Sequence, residues 1–568
     1  MKTFFPVIFF LISALLWPAV IWAQPVRFNA GERSRLHNEV PEMPYLPNPY
    51  GRLLTTPAKR LSGEGFTMVQ VNVDTNGNNI VGDAANEPTI VVNPKDHNRM
   101  VIGWREFESV NSNFRQAGVA YSTDAGDTWT FNGPIEPGVF RSDPVLDADS
   151  SGVVYYNSLT SNSGVYTCQV FRSQTGGISW NPGVEARGGD KQWMTIDRSE
   201  SEGKGHIYSN WTSYYSSCAP GAFTRSTDGG NFYEECTMIE ANPYWGTLTT
   251  GNNGELYIAG AGPGDGIVLV RSSNAKVPGA SVSWDMSTYV DMDGYVASQA
   301  SVNPVGLLGQ VYVDVDRSEG SGRGNIYLLA SMVRLSTGDP GDVMFAKSTD
   351  GGWSWSAPIR INDDPYDFHH QWFGTMSVAP NGRIDVVWLD TRDDPDQNIA
   401  SSLYYCHSED QGETWSINKR LTDSFDPRIG YPQQGKLGDY FDMESDHEGV
   451  HLAWANTFNG EQDVYYSRIL SVITGQKENI TRIPPSMVEV IPNPVTDQTR
   501  IRITLPLAAM VNLELCDLHG RHLRTLFSGH CEPGNRSFET DMTDIPAGIY
   551  VIRLRTGSET VTRKLIRL

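Results

Sequence analysis

The chain has 568 residues, with 66 acidic against 44 basic side chains and a formal net charge of −22. That excess carries the same sign as nucleic acids and anionic membranes and argues against both as partners. The length exceeds one ordinary core, and 55 glycines, 15 tryptophans and 24 tyrosines without a long amphipathic helical pattern read as all-β with many turns.

In chain order, Lys2 precedes an apolar run over 4–23, and polar sequence starts at Gln24. This reads as a secretory signal peptide, 1–23, cleaved after Ala23. No other stretch is long and apolar enough to cross a bilayer as a helix, so the mature chain is expected to carry no transmembrane segment. An N-terminal extension covers 24–65. Six cysteines suit an oxidising destination, and the absence of a Cys-x-x-Cys pair argues against a zinc site. Cys218 with Cys236, and Cys516 with Cys531, are the sequence-local pairs. Cys168 with Cys218 is an alternative, and Cys406 is then left over.

Residues 66–73 alternate as a strand does. The following Asp74, Asn76 and Asn78, with Asp83 beyond, are the one candidate cation loop, oxygen-rich like the start of a calcium loop. It departs from the EF-hand pattern, with Asn79 where glycine belongs and Ala85 where the last glutamate belongs. The sequence makes no cofactor certain, and structural calcium is the one candidate.

A phrase Ser-x-Asp-x-Gly-x-x-Trp then recurs, clearest at 122–129, 348–355 and 408–415. Tyr233 replaces the tryptophan at 226–233, the copy at 173–180 lacks the aspartate, and 272–284 holds an opened copy. Spacings of 51, 53, 46, 76 and 60 residues signal a propeller or solenoid. Between the copies lie turn-plus-strand elements, such as Asn381-Gly382 before 383–388, each preceded by a short strand. Seven such first strands stand near 88–92, 144–148, 193–196, 246–250, 310–315, 374–379 and 440–445. The last unit ends in a third strand at 463–470 without a fourth. Residues 66–73 are expected to supply it and close a β-propeller over 66–472, of seven blades by this count and six as the fallback. After a linker at 473–486, strands near 500–505, 511–517, 523–527, 549–555 and 560–566 suit a small C-terminal β-sandwich at 487–568.

The repeated phrase resembles the Asp-box (BNR repeat) of sialidases and other secreted propeller glycosidases. The resemblance implies that the box is the turn between the third and fourth strands of a blade. Asp124, Asp228, Asp350 and Asp410 would then cap turns, while Trp129, Trp355 and Trp415 pack between blades, which makes these residues structural. The tail resembles the C-terminal sorting domain of type IX secretion cargo. It carries Asn493-Pro494-Val495, then Asp517-Leu-His-Gly520-Arg521, then Ile545-Pro546-Ala547-Gly548-Ile549-Tyr550, with Lys564-Leu565 near the terminus. That implies export, engagement of the type IX machinery and a secreted or cell-surface location.

If the box joins strands three and four, the starts of first strands and the ends of second strands share the opposite face. Glu87, Asp143 and Asp439 are the candidate catalytic carboxylates there. Arg105, Arg334, Arg392, Trp193, Trp245, Trp372 and Tyr440 are candidate substrate-binding residues, since aromatic faces stack on sugars while polar edges meet hydroxyls. The Phe/Tyr-Arg-Ile-Pro arginine motif of sialidases is absent; that place reads Asn86-Glu87-Pro88-Thr89-Ile90. The sequence reading is therefore a sialidase-like propeller acting on an extracellular glycan or glycoprotein, by hydrolysis through a carboxylate pair. The alternative is a non-catalytic propeller that binds carbohydrate or protein.

Overall fold

The computed structural model describes residues 42–47, 54–162, 164–471, 488–505, 509–517, 521–532, 534–556 and 559–568. The expected signal peptide 1–23, most of 24–53, and the expected linker 473–486 lie outside the described residues, as do 518–520 of the tail motif. The chain divides into two compact units, 1–473 and 474–568. Among the described residues, the one helical element is the 3-10 turn Pro263–Asp265.

In the larger unit, seven antiparallel sheets among the described residues repeat one plan, with strands adding outward in chain order. Their first strands are Ala84–Val92, Ser142–Ala148, Trp193–Ile196, Leu248–Thr250, Tyr312–Val315, Gln371–Val378 and Asp442–Ser445. We number the sheets one to seven in that order. Each first strand contacts the next, and Asp442–Ser445 returns to Ala84–Val92, so the sheets close into a ring, the plan of a β-propeller. Because each sheet is sandwiched by its neighbours, a strand such as Ile384–Asp390 is buried throughout rather than alternately.

Sheet seven takes its fourth strand from the front of the chain. Phe66–Gln70 pairs antiparallel with Asp463–Leu470, placing Phe66 opposite Ile469 and Gln70 opposite Tyr465. This is the closure the alternation of 66–73 predicts, and it leaves no open sheet edge at the seam. Arg60–Gly63 adds a further strand outside it.

In sheets one, two, four, five and six the boxes join third to fourth strands, while in three-stranded sheet three the 226–233 copy follows the third strand. In sheet one, Ser122 Oγ donates to Asp124 Oδ1 at 2.8 Å and accepts from the Gly126 N–H at 2.9 Å, while Asp124 Oδ1 accepts from the Thr128 N–H at 2.9 Å. Asp228, Asp350 and Asp410 receive the same serine bond at 2.8, 2.8 and 2.9 Å. Where aspartate is missing the turn survives on neutral acceptors. Thr175 Oγ1 accepts from the Ser179 N–H, and Asn274 Oδ1 from the Ser283 N–H, each at 2.9 Å. Gly126 has φ 87°, and a Cβ there would sit 2.2 Å from Tyr466, so that position admits glycine alone. Trp129 packs on Tyr466 of sheet seven, with ring centroids 5.4 Å apart, and Trp415 on Phe345 of sheet five at 5.1 Å. Trp355 packs against the core between sheets four and five. Each box thus closes the seam with the preceding sheet.

The smaller unit is two packed antiparallel sheets. One holds Val488–Ile491, Gln498–Leu505 and Gly534–Asp541; the other holds His522–Cys531, Ala509–Cys516, Gly548–Thr556 and Glu559–Arg567. Ile501, Ile503, Leu513, Leu515, Ile552, Leu554 and Leu565 form the core between them. Gly534–Asp541, mostly polar and exposed, carries too little apolar alternation to be seen in the sequence.

The cysteines need a correction. Cys218–Cys236 is the disulfide found among the described residues, and Cys168, Cys406, Cys516 and Cys531 are buried free thiols. The candidate Cys516–Cys531 pair does not bond, because antiparallel pairing sets Cys516 opposite His522 beside the turn and Cys531 opposite Ala509 at the far end. Nor does Cys168 bond Cys218.

Candidate functional site

At the start of its first strand each sheet turns through one residue with positive φ. These are Glu87 (49°), Asp143 (46°), Lys191 (56°), Trp245 (55°) and Phe373 (53°), with Gly309 and Gly438 in sheets five and seven. In sheets one, two and six the ladder register shifts there, as at a β-bulge. A bulge re-aims a side chain, and a left-handed non-glycine residue costs about 1–2 kcal/mol that the surrounding packing must offset. The bulges also explain why these strands begin before Pro88, Pro144 and Gly374, where the sequence alone places their starts.

These positive-φ turns bring the three candidate carboxylates together. Arg105 Nε lies 3.1 Å from Glu87 Oε2, and Lys436 Nζ lies 3.4 Å from Glu87 Oε1 and 2.6 Å from Asp439 Oδ2. Lys191 Nζ lies 2.9 Å from Asp439 Oδ2, 3.3 Å from Asp190 Oδ1 and 3.6 Å from Asp143 Oδ2. All seven groups are buried. Burial pushes the Glu87 carboxyl up to about 7; Arg105 and Lys436 draw it down, while Asp439 and Asp143 oppose them. Burial also opposes ionisation of Asp143, but Lys191, Arg105 and the Ser142 hydroxyl together hold it below the usual carboxylate range. Burial disfavours the charged form of Lys191 as well, yet Asp143, Asp190, Asp439 and Glu87 raise it well above an ordinary lysine.

Below this charged layer the axis is filled. Trp193 of sheet three packs edge-on to Tyr440 of sheet seven and Tyr312 of sheet five, with centroids at 5.2 and 6.1 Å. Sheets three, five and seven are not neighbours, so rings that touch across them meet at the centre. The Tyr440 hydroxyl donates to the Pro144 carbonyl at 3.0 Å. Trp245 packs into the core beside Tyr244, and the Trp372 indole N–H donates to Ser401 Oγ at 3.1 Å. The sequence singled out Trp193, Trp245, Trp372 and Tyr440 as sugar platforms; all four are buried and offer no solvent-facing ring. Strand starts in a propeller face the axis, and burial there comes from the other sheets.

The three arginines do not converge. Arg105 pairs with Glu87 in the throat. Arg334 is held by Asp293, with Nε at 2.9 Å from Oδ2, and by Asp342 at 2.7 Å. Arg392 pairs with Asp363 at 2.6 Å and Asp390 at 2.8 Å, and its guanidinium lies 4.4 Å from the Tyr404 ring centroid.

Beside Arg392, the connection from sheet five to sheet six lifts Tyr366 and Phe368 into solvent, 54 % and 44 % exposed. Their centroids are 5.3 Å apart, with buried His369 behind Phe368 at 4.3 Å. Asp363 and Asp367 flank the pair and are exposed. This rim escaped the sequence reading, which looked only at strand ends. Its one signal was Tyr-x-Phe amid aspartates over 363–368.

The candidate cation loop separates into two features. Asp74 Oδ1 accepts the N–H groups of Asn76 and Asn78, both at 2.8 Å, which is a turn capped by its own aspartate. Asp83 lies instead in a buried group with Glu461 and Asp463.

Fold and tail together define an exported β-propeller. Residues 489–567 match the family described as the secretion system C-terminal sorting domain. That domain indicates export by type IX secretion to the cell surface or the medium. No helix among the described residues is long and apolar enough to cross a membrane. No curated protein sequence matches the chain. Among solved structures, a protein of unknown function from Dyadobacter fermentans is similar at 14% identity and TM-score 0.41, over 71% of this chain and 98% of that one. A Trypanosoma rangeli sialidase is similar at 10% identity and TM-score 0.34, over 90% and 89%. A Penicillium chrysogenum alpha-L-arabinanase is similar at 12% identity and TM-score 0.31, over 57% and 92%.

Proposed function

We propose that the protein is an exported propeller that binds an extracellular glycan, free or on a glycoprotein, at the rim of the face opposite the boxes, without cleaving it. The supporting observation is the contrast between throat and rim. Glu87, Asp143 and Asp439 are buried and ion-paired, whereas Tyr366 and Phe368 stand open. Sugar C–H faces stack on such rings while Asp363, Asp367 and Arg392 meet hydroxyls at the edge.

Hydrolysis is the second reading, favoured by two observations, one on Glu87 with Asp143 and one on Glu87 with Asp439. Glu87 is held near 7 while Asp143 is held low, the split that assigns acid and base roles to two carboxyls. The shared Lys436 ammonium also limits the Glu87–Asp439 oxygen separation to about 6 Å, near the spacing of retaining glycosidases. It requires the throat to open to a sugar.

Glycan-array binding and hydrolysis assays on the exported chain decide between them. Binding that is lost in Tyr366→Ala/Phe368→Ala and kept in Glu87→Gln, with no cleavage by the wild type, is the expected result. Cleavage by the wild type that Glu87→Gln abolishes would overturn it in favour of hydrolysis.

A further inference from the structure

Asp83 immediately precedes the first strand of sheet one, while Asp463 opens the third strand of sheet seven and Glu461 lies two residues before it. One oxygen from each lies within 4.8 Å of the other two, and all three residues are buried. Some point then lies within about 2.8 Å of all three atoms, close to the 2.3–2.6 Å of calcium–oxygen bonds.

Their hydrogen-bond donors are uncharged amides, and buried Glu106 stands close enough to Asp83 to add further negative charge. The Asn72 and Asn459 amides each donate to Asp463 at 2.8 Å, and the Gly82 N–H donates to Glu461 Oε2 at 2.7 Å. Asn79 Nδ2 reaches Glu461 Oε1 at 3.4 Å. Among the described residues, no lysine, arginine or histidine forms an ion pair with any of the three. Asp83 is 6 % exposed, and its Oδ1 has no hydrogen-bond partner. Three buried carboxylates with amide donors and no cationic side chain form a charge cluster that protein groups leave uncompensated. Isolated buried carboxylates are costly unless paired or bound to metal.

We propose that Asp83, Glu461 and Asp463 bind a calcium ion that staples sheet seven to sheet one where the ring closes. Hard carboxylate oxygens in irregular geometry suit calcium better than the strict octahedron of magnesium. The ligands come from opposite ends of the propeller sequence, so the ion would join the two chain segments that closure must hold together. Its place at the seam gives it a structural role, separate from throat and rim.

The test is calcium titration by isothermal calorimetry into the EDTA-stripped full-length protein, with melting followed in parallel. The expected result is one calcium per chain and a Tm raised by about 3 °C at 100-fold excess over Kd. Asp83→Asn should weaken binding at least about tenfold, and Asp83→Asn/Asp463→Asn should remove both heat and Tm shift. Should the variants fail to fold, terbium luminescence on the wild type serves instead. Emission sensitised by Tyr465, whose hydroxyl shares the Asn459 amide with Asp463, should appear and be competed away by calcium. No calcium heat with no terbium emission, or binding unchanged in the double variant, would overturn the site.

Discussion

Lys191 Nζ and Asp439 Oδ2 lie 2.9 Å apart although they begin sheets three and seven, which do not adjoin. The pair is buried and shares its carboxylate with Lys436, so it ties distant parts of the ring across the axis. Lys191→Met removes one cation from among Asp143, Asp190 and Asp439. The expected cost is about 3–5 kcal/mol, because uncompensated buried charge outweighs the value of the pair itself. Urea unfolding measures it, and Asp439→Asn in the same chain should recover part of the loss in a double-mutant cycle.

The Glu87 carboxyl gives the throat a pH signature. Its folded value is raised from 4.5 to about 7. Its stabilising contribution is therefore complete below about pH 4.5 and lost as pH rises through 7. Glu87→Gln should gain on the wild type across that window, by up to roughly 3 kcal/mol. Unfolding free energies of both chains at pH 4.5 and 7.5 test this; a difference that stays flat or falls would remove Glu87 as the raised group.

Asp410→Ala should destabilise the propeller by about 1–2 kcal/mol, since the Thr414 N–H, the Thr414 hydroxyl and the Ser408 hydroxyl all lose their acceptor. Melting curves report the loss. Binding at the rim should not change, because the box lies on the opposite face.

Cys218 and Cys236 close a loop with a sequence separation of 18. Replacing both with serine should cost about 2–4 kcal/mol. Thiol titration of the unfolded, unreduced chain should find four reactive groups, and six after reduction.

Tyr366→Ala/Phe368→Ala should weaken glycan binding by at least about tenfold at nearly unchanged Tm, since both rings are half or more in solvent or close to it. Affinity and Tm measured on the same preparation separate a binding defect from a folding one.

Much of the fold was readable along the chain. Box turns are local hydrogen-bond patterns, so Ser122 to Trp129 announces itself within eight residues. The closing strand announces itself by alternation, which only a half-buried outer position satisfies. The throat cluster was readable in position and not in surroundings. Glu87, Asp143, Asp439 and Arg105 were chosen by their place on strands, and they do meet. Trp193 and Tyr440 were chosen on the same ground, and the rings of Tyr312 and Tyr440 close over Trp193 from sheets five and seven. Tyr366 and Phe368 were passed over because a connecting loop has no periodicity to reveal which side chains reach solvent.

The sequence by itself determined the repeating scaffold, its closure and its export tail, because each rests on interactions between residues near one another in the chain or on the period of one strand. Only the tertiary structure decided which charges share the axis, which aromatics stay open and which carboxylates meet at the seam. Lys191 with Asp439, and Asp83 with Asp463, become neighbours only when the ring closes, and bulged left-handed residues set where the throat side chains point.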